Sequence, residues 1–202
     1  ETPDPVARWT FDDAGDAANG VGTSPTPGRL LGHPSRVPGV LGRALRLDGA
    51  TQGVEIPHVP ALKPAAQITL SAWVLPTELS GNRTIYRKED GEERTLFAFQ
   101  DGGTHLSLGL NLGGKYVECD AKIAPAAFLD KKWHLVTATY DGAFLKIYKD
   151  GQQIADGQTV QLHPASGPIG TGGNAPLYLG VTSGHSEQFR GFLDDVRLYD
   201  HA

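Results

Sequence analysis

Two neighbouring stretches of the chain alternate between apolar and other residues, and this alternation is the strongest constraint on the fold. In "HLSLGLNL", residues 105–112, a leucine occupies every second position. In "YVECDAKI", residues 116–123, one face would carry Val117, Cys119, Ala121 and Ile123, and the other Tyr116, Glu118, Asp120 and Lys122. A period of two is the geometry of a strand with one buried face. Both stretches therefore predict half-buried strands.

Paired turn residues separate such stretches. Asp-Gly occurs at 90–91, 141–142 and 150–151, and Gly-Gly occurs at 102–103 and 113–114. Asp-Gly favours two-residue type I′ turns, in which both central residues have positive φ. Repeated turns between short strands, with no convincing 3.6-residue period, are typical of an all-β sandwich. We therefore predict an all-β fold in which two antiparallel sheets stack, and a jelly roll suits the length of 202 residues.

Several conspicuous residues are expected to build the interior. The stretch "ITLSAWVL", residues 68–75, is apolar on both faces and suggests a central strand packed on two sides. Cys119 alternates inward with Val117 and Ile123 and is expected to be a core thiol.

Composition and charge exclude some classes of function. The net charge of -5 provides no broad basic surface, so binding to nucleic acid or to an anionic membrane is not expected. No long apolar run is present, so no membrane insertion is expected. A single cysteine excludes an internal disulfide and a thiolate metal cluster. The chain contains no methionine and begins with Glu1, so we expect a processed form or a domain of a larger protein.

The stretch "WHLVTATYDGAFLKIYKDGQQIA", residues 133–155, resembles the central signature of laminin-G-like domains of the concanavalin A-like lectin/glucanase superfamily. That family shows Trp-His before a strand, then Thr-Tyr-Asp-Gly, a second strand and another Asp-Gly. Further segments resemble the family in the same order: "VARWTFDD", "GRALRLDGATQGVEIP", "ITLSAWVLP", "PLYLG" and "FRGFLDDVRLYDHA". Because Trp9, Trp73 and Trp133 lie in segments that resemble signature strands, the resemblance implies that they are core residues. It also implies that His134, which follows Trp133 in the signature, is structural. The resemblance spans nearly the whole chain and implies a single concanavalin A-like jelly-roll domain over residues 1–202.

The same resemblance implies a class of function. We expect a non-catalytic recognition module of a larger exported bacterial protein, with neighbouring domains, that binds a glycan or a cell-surface or matrix protein. Its expected location is extracellular, at the cell surface or periplasmic. A purely structural or interaction domain without a sugar site is the alternative, and a glycoside hydrolase or lyase of the same fold is a third possibility, because one fold hosts many functions.

Laminarinase-type hydrolases of this fold place two glutamates and an aspartate at near-alternate positions on one strand. The nearest candidate here is "KEDGEER", which contains Glu89, Asp90, Glu92 and Glu93. Asp90-Gly91 predicts a chain reversal, so these carboxylates would splay into solvent instead of facing each other about 5–5.5 Å apart. We therefore expect a solvated hairpin tip and no catalytic residues.

Asp194 is the main candidate for a metal ligand. Strand alternation groups it with Phe192, Val196 and Leu198, and a buried carboxylate needs a partner. Calcium is one solution, with further oxygens from Asp12, Asp13, Asp16 or Asp48. The other solution is a bond to Arg8 or Arg197, or to loop N–H groups.

The polar face of residues 116–122 is the main candidate for ligand contact. Sugars stack their C–H faces on aromatic rings while their hydroxyls need polar partners. Tyr116, Glu118 and Asp120 could supply both, and Tyr86, Arg87 and the loop at His185 are further candidates. The alternative is an ordinary solvated sheet face.

Overall fold

The computed structural model describes residues 3–15, 17–18, 20–156, 159–160, 162–164 and 166–202. The strand residues among those described make up 51% of the chain, and the helical ones 5%. These ranges contain three short 3-10 helices, Pro60–Leu62, Asp101–Gly103 and Pro125–Ala127. None of the helices in the described ranges is long and apolar enough to span a membrane. The strands, in chain order, are β1 (Ala7–Trp9), β2 (Ala17–Ala18), β3 (Gly20–Val21), β4 (Gly28–Leu31), β5 (Ser35–Pro38), β6 (Arg43–Asp48), β7 (Gly53–Ile56), β8 (Ile68–Glu78), β9 (Arg83–Glu89), β10 (Arg94–Gln100), β11 (His105–Leu112), β12 (Lys115–Lys122), β13 (His134–Tyr140), β14 (Phe144–Lys149), β15 (Gln152–Gln153), β16 (Ala155–Asp156), β17 (Thr159–Val160), β18 (Leu162–Pro164), β19 (Ile169–Gly170), β20 (Leu177–Leu179) and β21 (Arg190–Tyr199).

These strands pair antiparallel in two large sheets. The first sheet has the order β15-β14-β13-β8-β21-β1-β3; β6 also pairs with β21, β5 with β6, and β18 with β14. The second sheet has the order β12-β11-β10-β9-β20-β7-β4-β2, with β19 beside β11. A small third ladder joins β16 to β17. The prediction of an all-β, antiparallel two-sheet sandwich is confirmed.

The core lies between the two sheets. The leucines of β11, from Leu106 to Leu112, face it from the second sheet, as their alternation predicts. From the first sheet, β8 contributes Ile68, Leu70, Ala72 and Val74. Fully burying a leucine contributes about 1.5–3 kcal/mol. Because the inner faces of both sheets are buried in the core, the outer face of each sheet is the surface on which a ligand could bind.

The first strand is fixed next to the last one. In β1, Trp9 lies opposite Val196 of β21. The Trp9 ring is fully buried, and its Nε1 donates a hydrogen bond of 2.9 Å to the carbonyl of Thr26. The core assignment of Trp9 is therefore confirmed.

The other two tryptophans correct the sequence analysis. β8 is central in the first sheet, but no further layer covers its outer face within the described structure, and Trp73 and Leu75 on that face are only partly buried. Trp133 is also partly buried, and its ring contacts Phe192 edge-on at 6.2 Å. The core assignment of Trp73 and Trp133 was wrong, because apolar residues on both faces of a strand do not require cover on both.

A bulge in β21 changes the direction of its side chains. Asp195 has φ of 49°, and the pairing with β8 shifts between Asp194 and Arg197. As a result Val196 and Leu198 face the core, whereas Asp194 lies on the outer face with Phe192. The predicted grouping of all four residues on one face was wrong, because a bulge inserts one extra residue into the alternation.

The predicted turns form with different geometries. Asp150 and Gly151 have φ of 52° and 79°, and Gly113 and Gly114 have 58° and 81°, as two-residue type I′ turns require. At the β9–β10 and β13–β14 connections, residues 90–93 and 141–143 form longer loops. There Asp90 and Asp141 accept backbone hydrogen bonds through their side chains, which stabilises a wider turn.

His134 and Cys119 have structural environments, as predicted. The His134 ring is buried, with Nδ1 2.9 Å from Asp150 and Nε2 3.0 Å from Asp130. Burial raises the pKa of the Cys119 thiol to about 11, so it is protonated at neutral pH.

Candidate ligand-binding surface

The outer face of the second sheet, which we name the polar face, carries most of the predicted ligand residues. Residues opposite each other across a ladder point to the same side. The strand register therefore aligns one row across seven strands: Arg29, Glu55, Tyr178, Arg87, Leu96, Gly109 and Glu118. The row contains charged, aromatic, aliphatic and small residues, and its members Tyr178, Arg87 and Leu96 are buried by their neighbours.

A cavity of about 230 Å³, which we name the hairpin pocket, lies at one end of the polar face. It is bounded by the β9–β10 loop and by β11 and β12. Its lining consists of Glu89, Gly91, Glu92, Glu93, Arg94, Asn111 and Tyr116. Three glutamates against one arginine make this pocket acidic.

Tyr116 provides the aromatic wall of the hairpin pocket. It is 36% exposed, and the Arg94 guanidinium lies over its ring, 5.5 Å from the centroid. Its hydroxyl donates a hydrogen bond to Glu118, which also accepts one from Gln100. The ring leans over Gly109, where a Cβ atom would overlap the hydroxyl. The glycine and these hydrogen bonds fix the orientation of the ring.

The opposite wall is fixed by an ion-pair network. Arg94 Nε bonds to Glu89 Oε2 at 2.8 Å, and Arg87 Nη2 lies 3.0 Å from the same oxygen. Arg87 also lies 3.7 Å from Glu187. Burial alone would raise the pKa of Glu89, but the hydrogen bonds and charges of Arg87 and Arg94 outweigh it and lower the pKa. Glu89 is therefore ionised at neutral pH.

Asn111 connects the loop to the sheet. Its Oδ1 accepts the Arg94 N–H at 2.8 Å, and its Nδ2 donates to the Glu92 carbonyl at 3.3 Å. The pocket is thus rigid on three sides, which lowers the entropy cost of ligand binding.

The predicted ligand residues have different outcomes. Tyr116 lines the hairpin pocket, and Glu118 holds its ring. Asp120 is on the same face but lies away from the pocket, where it accepts a hydrogen bond of 2.6 Å from Ser107. Tyr86 is only 2% exposed and packs in the core, so its assignment to a ligand surface was wrong. Strand alternation directs Arg87, not Tyr86, to the polar face.

Sequence reasoning missed Arg94 and Asn111. Both lie on strands whose outer residues include Leu96 and Ala98 or Gly109, so no clean polar alternation marked this face. Their proximity depends on the pairing of β10 with β11, which is a tertiary feature.

Asp194 is held by the turn between β5 and β6, residues 39–42. It is fully buried, and its Oδ2 accepts the N–H groups of Val40 at 2.8 Å and Leu41 at 3.1 Å. Burial raises the pKa of Asp194, and these two hydrogen bonds offset part of the rise. Loop N–H groups, one of the two solutions expected, are therefore the partners observed. Arg8 and Arg197 bond instead to the neighbouring Asp195.

Of the remaining candidate calcium ligands, Asp12 lies close enough to Asp194 for its charge to help raise the pKa of Asp194, and the other described candidates are placed elsewhere or point to solvent. Asp12 accepts the Arg43 N–H at 2.7 Å, and Asp13 is exposed. Asp48 lies opposite Arg190, four residues from Asp194 along β21, which corresponds to about 13 Å. Asp16 lies outside the described residues. No group of three or more His, Cys, Asp or Glu side chains able to hold a metal occurs in the described ranges. Calcium binding stays a prediction.

The sequence matches the family model for the concanavalin A-like lectin/glucanases superfamily (Laminin_G_3) over residues 48–202. The chain belongs to this superfamily. The match begins at the end of β6 and includes every strand of the hairpin pocket. No curated protein matches the sequence.

Several solved structures share the fold of this chain. Domain 4 of AbnA, a GH43 extracellular arabinanase from Geobacillus stearothermophilus, in complex with arabinotriose, is 23% identical with a TM-score of 0.70, covering 100% of this chain and 95% of that one. The botulinum neurotoxin serotype G binding domain is 10% identical with a TM-score of 0.72, covering 98% and 48%. The Trypanosoma rangeli sialidase in complex with the inhibitor DANA is 17% identical with a TM-score of 0.61, covering 96% and 30%. The chain thus spans about half or less of the last two proteins.

Proposed function

We propose that this domain is a non-catalytic glycan-recognition module of a larger exported protein, and that its ligand is a neutral oligosaccharide bound in the hairpin pocket. The observation that carries the proposal is the partly exposed Tyr116 ring, fixed by Gly109 and Glu118 at the wall of a polar cavity. A sugar ring would stack its C–H face on the tyrosine, and its hydroxyls would bond to Asn111 and to the pocket glutamates.

The charge of the pocket supports a neutral ligand. Glu89 is ion-paired with Arg87 and Arg94, so Glu92 and Glu93 are the lining carboxylates that would repel a carboxylate or sulfate ligand. The complex of the arabinanase domain with arabinotriose is consistent with this ligand class, because arabinotriose is uncharged.

A non-catalytic role fits the carboxylates of the β9–β10 hairpin. A glycosidase needs one carboxyl group with a raised pKa to act as general acid. In this hairpin the effect of burial is outweighed by the ion pairs of Glu89 with Arg87 and Arg94, which lower the pKa of Glu89. Backbone hydrogen bonds from Glu93 and Glu92 lower the pKa of Asp90. Both groups are held as ionised structural partners.

Isothermal titration with arabinotriose and other neutral oligosaccharides tests the proposal. Tyr116→Ala is expected to weaken binding at least about tenfold, or about 1.4 kcal/mol. Tyr148→Ala is the matched control, because Tyr148 is a partly buried tyrosine on the outer face of the first sheet. Equal losses in both variants, or no binding by the wild-type protein, would contradict the proposal. The second of these results would favour a purely structural or interaction domain.

A further inference from the structure

A larger cavity lies on the opposite side of the sandwich, on the outer face of the first sheet. It has a volume of about 720 Å³ and runs along β5, β6 and β21. Its lining includes Ser35, Arg46, Thr77, Arg190 and Phe192. We name it the arginine groove. Its size falls within the range of about 300–1,000 Å³ that is usual for ligand sites.

Strand register brings the two arginines together. Arg46 lies opposite Phe192 of β21, and Arg190 lies two residues before Phe192 on the same strand. The arginines are therefore diagonal neighbours on one face, with Cα atoms about 7–8 Å apart. Two guanidinium groups at this spacing can bind adjacent acidic groups or clamp one of them.

The two guanidiniums differ in their partners. Arg46 is exposed and makes no hydrogen bond or ion pair within the described part of the chain. Arg190 Nη1 donates a hydrogen bond of 3.3 Å to Glu78 Oε2, while Arg83 binds the other carboxylate oxygen of Glu78. A guanidinium has five N–H donors, and this contact uses one of them. Arg190 therefore keeps donors free for a ligand.

The one carboxylate in the groove is turned to its own loop. Asp48 Oδ1 accepts the N–H groups of Ala50 at 2.9 Å and Thr51 at 3.0 Å, and its Oδ2 accepts the Thr51 hydroxyl. Burial would raise the pKa of Asp48, but these bonds outweigh it and lower the pKa. The lowered pKa keeps Asp48 ionised at neutral pH, so the groove lining holds two guanidiniums and one carboxylate, whereas the chain as a whole carries a charge of -5.

The groove also has an apolar wall and free hydroxyls. Phe192 is partly exposed, and its ring is held edge-on by Trp133. The exposed side chains of Ser35 and Thr77 form no hydrogen bond within the described residues. An aromatic surface beside hydroxyls and arginines matches a polymer that has sugar rings, hydroxyls and acidic groups.

We propose that the arginine groove binds an anionic oligosaccharide, with Arg46 and Arg190 pairing to its carboxylate or sulfate groups and Phe192 contacting a sugar ring. This site is separate from the hairpin pocket and has the opposite electrostatic preference. One domain would then hold a neutral and an acidic glycan on opposite faces of the sandwich. Because different residues carry the two proposals, each can fail while the other stands.

Titration of the whole chain at low salt with three probes tests this inference. The probes are oligogalacturonate, the same oligosaccharide fully methyl-esterified, and a heparin oligosaccharide. The wild-type protein is expected to bind at least one acidic probe at least tenfold more tightly than the esterified one, and to lose affinity as salt is added. Binding of oligogalacturonate shows that carboxylates suffice. Binding of the heparin oligosaccharide alone, which carries both sulfate and carboxylate groups, shows that sulfate is required, and either result supports the site.

Matched variants locate the binding. Arg46→Gln is expected to fold normally, because the exposed Arg46 side chain makes no hydrogen bond or ion pair within the described residues, and it is expected to weaken acidic binding at least fivefold. Adding Arg190→Gln is expected to weaken acidic binding further. Arg29→Gln is the control, an exposed arginine on the polar face paired with Glu55. No binding of either acidic probe, or an equal loss in Arg29→Gln, overturns the inference. Loss of acidic binding in Tyr116→Ala also overturns it, since it assigns the site to the hairpin pocket.

Discussion

Raising the pH from 7 to 9.5 is expected to stabilise this protein through one buried residue, Lys88. This lysine lies on β9, points to the interior and is fully buried. Its Nζ donates hydrogen bonds to the carbonyls of Gly172 at 3.1 Å and Gly173 at 2.9 Å. Burial, together with the charge of Lys63, lowers the pKa of Lys88 from 10.5 to about 8, and Asp90 and Glu93 offset only part of the change.

The sign of the effect follows from linkage between protonation and folding. In the folded state Lys88 loses its proton near pH 8, whereas in the unfolded state it keeps the proton until about pH 10.5. Between these values the unfolded state binds more protons, so the free energy of unfolding increases with pH. A pKa difference of this size contributes about 2 kcal/mol by pH 9.5 and almost nothing at pH 7.

Urea denaturation at several pH values between 7 and 9.5 measures this contribution. The wild-type protein is compared with Lys88→Met, which keeps the volume and removes the titrating group. The difference in unfolding free energy between the two proteins should shift by about 2 kcal/mol in favour of the wild type as the pH rises. Lys115→Met, at an exposed position on β12, is the control and should retain the wild-type pH dependence. A wild-type minus Lys88→Met difference that is flat with pH would refute this reasoning.

Three further predictions address the two outer faces. Asp194→Ala removes the two charge-assisted hydrogen bonds from Val40 and Leu41, and the loss of a buried charge offsets part of this cost. The free energy of unfolding, measured by urea denaturation, should therefore fall by about 2–4 kcal/mol. A fall below about 0.5 kcal/mol would contradict this role. Gly109→Ala should displace the Tyr116 ring and weaken neutral-oligosaccharide binding at least about threefold while the melting temperature changes little; unchanged affinity in titration would show that the ring position is unimportant. If calcium binds at Asp194, the melting temperature should be higher in calcium than in EDTA. At a hundredfold excess of calcium over Kd, the stabilisation corresponds to about 2.7 kcal/mol. Superimposable melting curves would reject calcium binding.

The fold could be predicted because its signals are local. The alternation of residues 105–112 and 116–123 depends only on the pleat of each strand, and the structure confirms it in β11 and β12. The Gly113-Gly114 turn between them needs positive φ at both residues, which glycine adopts without steric cost. For the same reason the polar face of β12, with Tyr116 and Glu118, could be identified as a candidate surface from the sequence.

Errors arose where one strand's environment depends on others. The bulge at Asp195 places Asp194 on the outer face and Val196 on the inner face, and no local pattern in the sequence marks this bulge. The apolar stretch around Trp73 suggests a core residue. The order of layers in the sandwich leaves the side of β8 that carries Trp73 uncovered, and the sequence does not show that order. Tyr86 and Arg87 are adjacent in sequence, and the packing of β9 decided that the tyrosine is inside.

The sequence by itself determined the fold class, the turn positions and the superfamily resemblance, since each depends on residue types at short spacing. The tertiary structure alone decided the two cavities. The hairpin pocket needs the register of β9, β10, β11 and β12, and the arginine groove joins Arg46 to Arg190 across β6 and β21, residues far apart in the chain. Register between distant strands is fixed by packing of the whole core, which no short stretch of sequence contains.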